Sequence, residues 1–160
     1  MRIEQRIADL GLQLPALPNL PASVATTFSW VRVLGDRALV SGHGAQNLDG
    51  SPTGPFGRVP DEVDPDTAMQ SARRAALSVL SSTKDAIGDL DRITAWVSVS
   101  GFVQAQPGYP HTTAVINAFS QLVIDIFGAE IGQHARTAIG VAALPLNLPV
   151  VVSAELNIRT

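Results

Sequence analysis

Cysteine is absent from the 160 residues, and lysine occurs once, at Lys84. Without cysteine there can be no disulfide, thiolate nucleophile or zinc–sulfur site, and a reducing compartment is the natural home, so the chain reads as cytoplasmic. The net charge is −3 with no basic cluster, which removes the footprint that supplies most nucleic-acid affinity. No apolar run approaches the roughly 18–20 residues that cross a bilayer. The opening residues MRIEQRIADLGL carry charges where a signal peptide needs an apolar centre. Nucleic acid and membrane are therefore not expected as partners. Charge of either sign is scarce, with 16% of residues charged and 46% hydrophobic, where an average domain has about 25% charged. A chain of this size cannot easily hide so much apolar surface alone, which predicts a homo-oligomer.

Cofactor signatures are missing too. His43, His111 and His134 have no Asp or Glu at ligand spacing, so no metal site is expected. The glycines between 35 and 57 are followed by no Lys-Ser/Thr, so they form no phosphate loop. No cofactor is implied.

What is present is the material of one domain, residues 1–160, large enough to fold without staples. Ile3, Ile7 and Leu10 stand at helical spacing before Gly11, predicting a short amphipathic helix. Prolines at 15, 18 and 21 make the next segment an extended connector, so residues 1–22 form an N-terminal helix and connector. β-Branched and aromatic residues in 26–33 and 37–43 flank Gly35-Asp36, a hairpin signal. Residues 44–64 are rich in Gly, Pro, Asp and Asn and read as a long loop, a kind that tends to be functional or loosely ordered. Asp64-Pro65-Asp66 supplies a helix start, and apolar residues at 3–4 spacing carry the helix to Ile87 before Gly88.

Residues 92–103 alternate Ile93, Ala95, Val97 and Val99 against Thr94, Trp96, Ser98 and Ser100. This predicts a strand whose first set meets the helices and whose second suits a subunit interface. Trp30 and Trp96 are expected in the core or at that interface. A second helix begins near Thr112 and ends at Phe127-Gly128, and GAEIGQH is a loop. Residues 134–158 then read as two buried strands joined across LPLNLP, with Arg136 at the mouth of the first. A guanidinium entering an otherwise uncharged strand needs an anionic partner. That partner is either a ligand or an internal acid. The elements fit two helices on one face of a single mixed sheet, an α+β fold.

The order and spacing of several segments resemble the Rid family, the reactive-intermediate imine/enamine deaminases also called YjgF and, formerly, L-PSP endoribonucleases. These segments are LVSGHGA (39–45), the helix with Ala72–Leu77, GDLDRI (88–93), VSGFV (99–103), Asn117, and HARTAIGVAALPLNLPVVVSAEL at the end. The resemblance spans nearly the whole chain. It implies a chorismate-mutase-like fold and a homotrimer whose sheets enclose a central β-barrel, with ligand clefts between subunits.

It also implies residue roles. The arginine that grips the substrate's carboxylate falls on Arg136, with Ala138 two residues along the strand, an aromatic tyrosine on Phe28, Ser-Gly-Gln on Ser41, Gly42 and His43, and an asparagine on Asn117. The acid that positions the attacking water falls on Val151, which cannot orient water. Glu155 lies four residues further, about 13 Å away at roughly 3.3 Å per residue. His43 is then a candidate proton acceptor, or a strand-end histidine that only hydrogen-bonds, and His134 a candidate for fixing the arginine. The expected activity is hydrolysis of a small carboxylate-bearing 2-imino acid to 2-oxo acid and ammonia, with catalytic residues Arg136 and His43. Loss of the acid leaves a second reading open, a trimeric binding protein for 2-oxo acids and similar carboxylates. Ribonuclease activity rests on the older family name alone, and the missing basic surface opposes it.

Overall fold

A computed structural model describes residues 2–160. Helix α1 (Arg2–Asp9) leads into the proline-rich connector. Hairpin β1 (Val31–Leu34) and β2 (Arg37–His43) is followed by α2 (Pro65–Ile87), β3 (Ile93–Gln104), α3 (Thr112–Phe127), a single turn α4 (Ala129–Gly132), β4 (Ala135–Val141) and β5 (Val150–Ile158). The strands form one mixed sheet in the order β1-β2-β5-β3-β4, in which only β3 and β4 run parallel. Two long helices cover one face, and the architecture is the expected α+β arrangement.

Helix α2 starts where the chemistry requires. The Asp64 carboxylate accepts from the Thr67 amide at 3.0 Å and from its hydroxyl at 2.6 Å, Pro65 follows, and Gly88 closes the helix in the left-handed region at φ 81°. Its inner stripe of Ala68, Ala72, Ala75, Ala76 and Val79 is fully buried. Small side chains there let the helix lie close to the sheet. From α3, Val115, Ile116, Phe119, Leu122 and Val123 complete the core.

Four local expectations are corrected. Strand β1 begins at Val31 and not at residue 26, because residues 23–29 are exposed and leave the sheet. The period of two in β3 is broken by irregularities in its pairing with β5 between Ile93/Ala95 and Trp96/Ser98. Each shifts the phase of the pleat. Trp96 therefore turns into the core against Phe119 and Phe127, with ring centroids 5.9 and 5.8 Å away, while Val97 faces out. The segment after Gly128 contains a helical turn where only loop was expected. Finally, β4 is an outer strand and largely uncovered, whereas β5 is the buried one; the two are separated by β3 and do not pair.

The long loop is held firmly. Val59 and Val63 are core residues, the Val59 amide donates to the Gln104 carbonyl, and the Gln106 amide donates to that of Val59. Gly50, at φ 87°, lies where an added Cβ would come within 2.1 Å of the Leu17 carbonyl oxygen. Only glycine lets the connector lie against this loop, and the Ala16 and Asn19 amides bond to the carbonyls of Leu48 and Gly50. No helix among the described residues is long and apolar enough to cross a membrane.

Candidate functional site

The expected site residues fall into two groups, one at the β4 edge and one around a cavity near the ends of β2 and β5. Arg136 pairs in register with core-facing Val99, so its side chain is on the helix side, over α3. One guanidinium nitrogen donates to the Ser120 hydroxyl at 3.0 Å and another to the Thr113 carbonyl at 3.4 Å. Ser120 in turn lies 2.8 Å from Nε2 of His134, whose Nδ1 lies 2.7 Å from the Gly132 carbonyl.

A carbonyl can only accept, so His134 carries its proton on Nδ1, and Nε2 accepts from the Ser120 hydroxyl. The serine oxygen is thereby left to receive the arginine. Burial pushes the His134 ring below the ordinary histidine range, the Gly132 carbonyl opposes this, and the Arg136 charge adds to the lowering. The ring is neutral at pH 7, which the chain of bonds requires. Burial also lowers the guanidinium of Arg136. Among the described residues, no carboxylate pairs with it. Asn117 occupies the stripe of α3 that carries Thr113 and Ser120, and Ala138 follows Arg136 on the same side, its carbonyl accepting from the Thr112 hydroxyl at 3.1 Å.

The second group lies across the sheet, on the β1 and β2 side of β5. Phe28, Gly42 and Val151 line a cavity of about 390 Å³ with Trp30, Leu20, Val24, Leu146 and Leu148. Val151 alternates with core-facing Val150 and Val152 and so points to the face opposite Arg136. Across the sheet Arg136 is level with Val99, Ala154 and Val40. Val151 is therefore two strand spacings away, roughly 10 Å, and three residues along, roughly another 10 Å. One chain cannot bring Arg136 to this cavity.

Ser41 and His43 stand behind the cavity wall. The Ser41 hydroxyl donates to the Ser29 carbonyl at 2.7 Å, and its amide to that of Trp30 at 2.9 Å. His43 is 2% exposed. Its Nδ1 donates to the Ser41 carbonyl at 2.6 Å, which leaves Nε2 to accept from the Ser82 hydroxyl at 2.8 Å. Burial pushes its pKa down to about 4 against that carbonyl's opposing effect. Both ring nitrogens are occupied and neither faces water. Within one chain His43 braces Trp30, whose ring centre is 5.0 Å away.

Glu155 is salt-bridged to Arg37 and remote from the cavity. His111 sits at the start of α3 without a capping bond. Sequence reasoning missed Trp30 as a cavity wall and overlooked Leu146 and Leu148. The signal available for the leucines was the apolar spacing within the proline-bounded LPLNLP.

The fold and the split site define a class of α+β protein with one face of its sheet uncovered, an arginine at one edge and an apolar cavity at the other. No family model matches the chain. It is 36% identical over 159 residues to Protein TCP17 of Trypanosoma cruzi, covering 98% of this chain and 95% of that one. The crystal structure of Atu1372 from Agrobacterium tumefaciens, a protein of unknown function, is 32% identical, superposes with a TM-score of 0.86 and covers 99% of this chain and 93% of that one. The E. coli YjgF gene product shares the fold at 20% identity and a TM-score of 0.61, covering 92% and 99%. The chain belongs to one family with these first two proteins and has the fold of the YjgF gene product.

Proposed function

We propose that the protein is a Rid-type hydrolase of small reactive imines or enamines bearing a carboxylate, and that its working form is a homotrimer. A 2-imino acid and water become a 2-oxo acid and ammonia. The observation that carries this reading is Arg136, a guanidinium held by a hydroxyl and a backbone carbonyl with no acid against it among the described residues. Such a group is arranged to receive an anion from outside its own chain. Its separation from the cavity that holds Phe28, Gly42 and Val151 motivates the assembly. In a closed ring, the β4 edge of one copy would meet the cavity end of the next, and each cleft would take its clamp from one subunit and its walls from the other. The imine carbon is already electrophilic, so holding it beside a water can supply several kcal/mol of the barrier.

A second reading, a binding protein for 2-oxo acids without hydrolysis, is favoured by one feature: no titratable side chain is among the residues lining the cavity. Ammonia release from freshly generated 2-iminopropionate or 2-iminobutyrate separates the two. Acceleration that disappears in Arg136→Ala supports the hydrolase. No acceleration, together with calorimetric binding of 2-oxo acids that depends on Arg136, supports the binder. Sedimentation as a single chain would remove both.

A further inference from the structure

We propose that the cavity selects 2-imino and 2-oxo acids with a large apolar side chain, aromatic in particular, over those as small as pyruvate. The proposal rests on the reading of Arg136 as the carboxylate clamp. The side chain would lie inside one protomer while the neighbouring copy's arginine holds the carboxylate at the rim.

The wall chemistry supports this class. Phe28 and Trp30 meet edge to face, with centroids 4.9 Å apart at 82°, and His43 holds Trp30 from behind. Phe28 is 53% exposed, so its ring contributes little to this chain's own core and offers a face to an aromatic guest. On the opposite wall Leu146 adopts φ 57°, ψ 22°, a left-handed conformation that a leucine rarely takes. The turn is held in place from outside. The Gln104 side chain donates to Oδ1 of Asn147 at 2.9 Å and accepts from the Leu144 amide at 3.2 Å, and the Gly57 amide donates to the Asn147 carbonyl. Glycine would relax the backbone there; leucine keeps an apolar group on the cavity wall. Strain retained at a cavity is a mark of function.

Polarity and size agree. Thr26, Gln46 and the indole N–H of Trp30 are the polar groups of the lining; the Gln46 amide nitrogen is bonded to the Gly50 carbonyl, while its Oε1 is buried without a partner among the described residues, and no charged side chain is among them. A carboxylate drawn inside would lose its water without a charged partner, so the anionic end must stay at the mouth. A Cβ at Gly42 would come within 2.7 Å of Val151, so at this point valine stands directly against bare backbone, where the family acid would have placed charge. A volume of about 390 Å³ falls in the range of sites that enclose a ring-bearing ligand, and pyruvate would leave it largely unfilled.

The test is calorimetric titration of the full chain with phenylpyruvate, 4-methyl-2-oxopentanoate and pyruvate. Phenylpyruvate is expected to bind at least tenfold more tightly than pyruvate, with the branched acid between them. In Phe28→Ala and in Leu146→Gly the ratio should fall towards one. Leu146→Gly suits its backbone angle, and a thermal melt confirms its folding. If pyruvate binds as tightly as phenylpyruvate and Arg136→Ala abolishes both, the selectivity is overturned while the clamp survives. If phenylpyruvate binds equally well in Arg136→Ala, the clamp falls and the proposal falls with it. Absence of binding by all three acids overturns both.

Discussion

At the β4 edge a guanidinium is oriented by a serine, a histidine and a backbone carbonyl, whereas at the β2 and β5 end the cavity is walled by rings and aliphatic side chains around a strained turn. The first region supplies direction and charge, the second shape and dryness. In the function proposed above, each holds half of what a ligand with an anionic head and an apolar body needs. The same histidine chemistry serves both: a neutral ring donates from Nδ1 to a carbonyl two residues earlier and accepts a serine hydroxyl on Nε2. In one case the ring fixes a charged group and in the other an aromatic wall.

Removing the charge should separate the halves most sharply. Arg136→Ala is expected to weaken carboxylate binding about 100-fold, corresponding to roughly 3 kcal/mol for a charge-assisted pair, measured by calorimetry. It should leave the fold intact, since the side chain is only half-buried and lies at a sheet edge. Acid should act next, and through the cavity side. His43 has an ordinary value of 6.5 and a folded value of about 4. Between these values the unfolded chain binds the extra proton, so stability is full above pH 6.5 and is lost as pH falls towards 4. At pH 5 the loss is on the order of 2 kcal/mol, read from urea midpoints at pH 7 and pH 5, and His43→Gln should flatten the difference.

A smaller effect is expected from Ser120→Ala, which cuts the link between Arg136 and His134. Binding should weaken about three- to tenfold, near 1 kcal/mol for one hydrogen bond, with an altered pH profile because His134 would no longer be tied to the guanidinium. Smallest is Glu155→Gln. This acid is in the strand of Val151 but is engaged by Arg37 at a partly exposed site, so turnover should stay within twofold and stability should change by at most about 1 kcal/mol. A tenfold loss of turnover would place the hydrolytic acid at Glu155 and undo the assignment of the cavity.

Much of the frame could be read from residue order. Asp64-Pro65 opens α2 and Gly88 ends it because capping and backbone freedom are local chemistry. The hairpin at Gly35-Asp36 and the apolar stripe of α3 follow for similar reasons. The facing of β3 was not legible, since the irregularities that turn Trp96 inward are set by the pairing with β5. Nor was the fate of His43. In sequence it is a titratable group beside Ser41-Gly42; burial and Ser82, 39 residues further on, take away both of its nitrogens. Residues 26–28 read as the start of a strand because they are β-branched and aromatic, yet no partner strand reaches them.

By itself the sequence determined the succession of elements, the lack of thiol and basic-surface chemistry, and the presence of one arginine in a strand otherwise without charge. Those follow from composition and from interactions spanning a few residues. Tertiary structure decided that Arg136 and Val151 point to opposite faces of the sheet, that His43 is sealed away, and that a proline-bounded turn carries Leu146 to a cavity. These outcomes depend on strand order, pleat phase and burial, which arise only when residues distant along the chain are packed together.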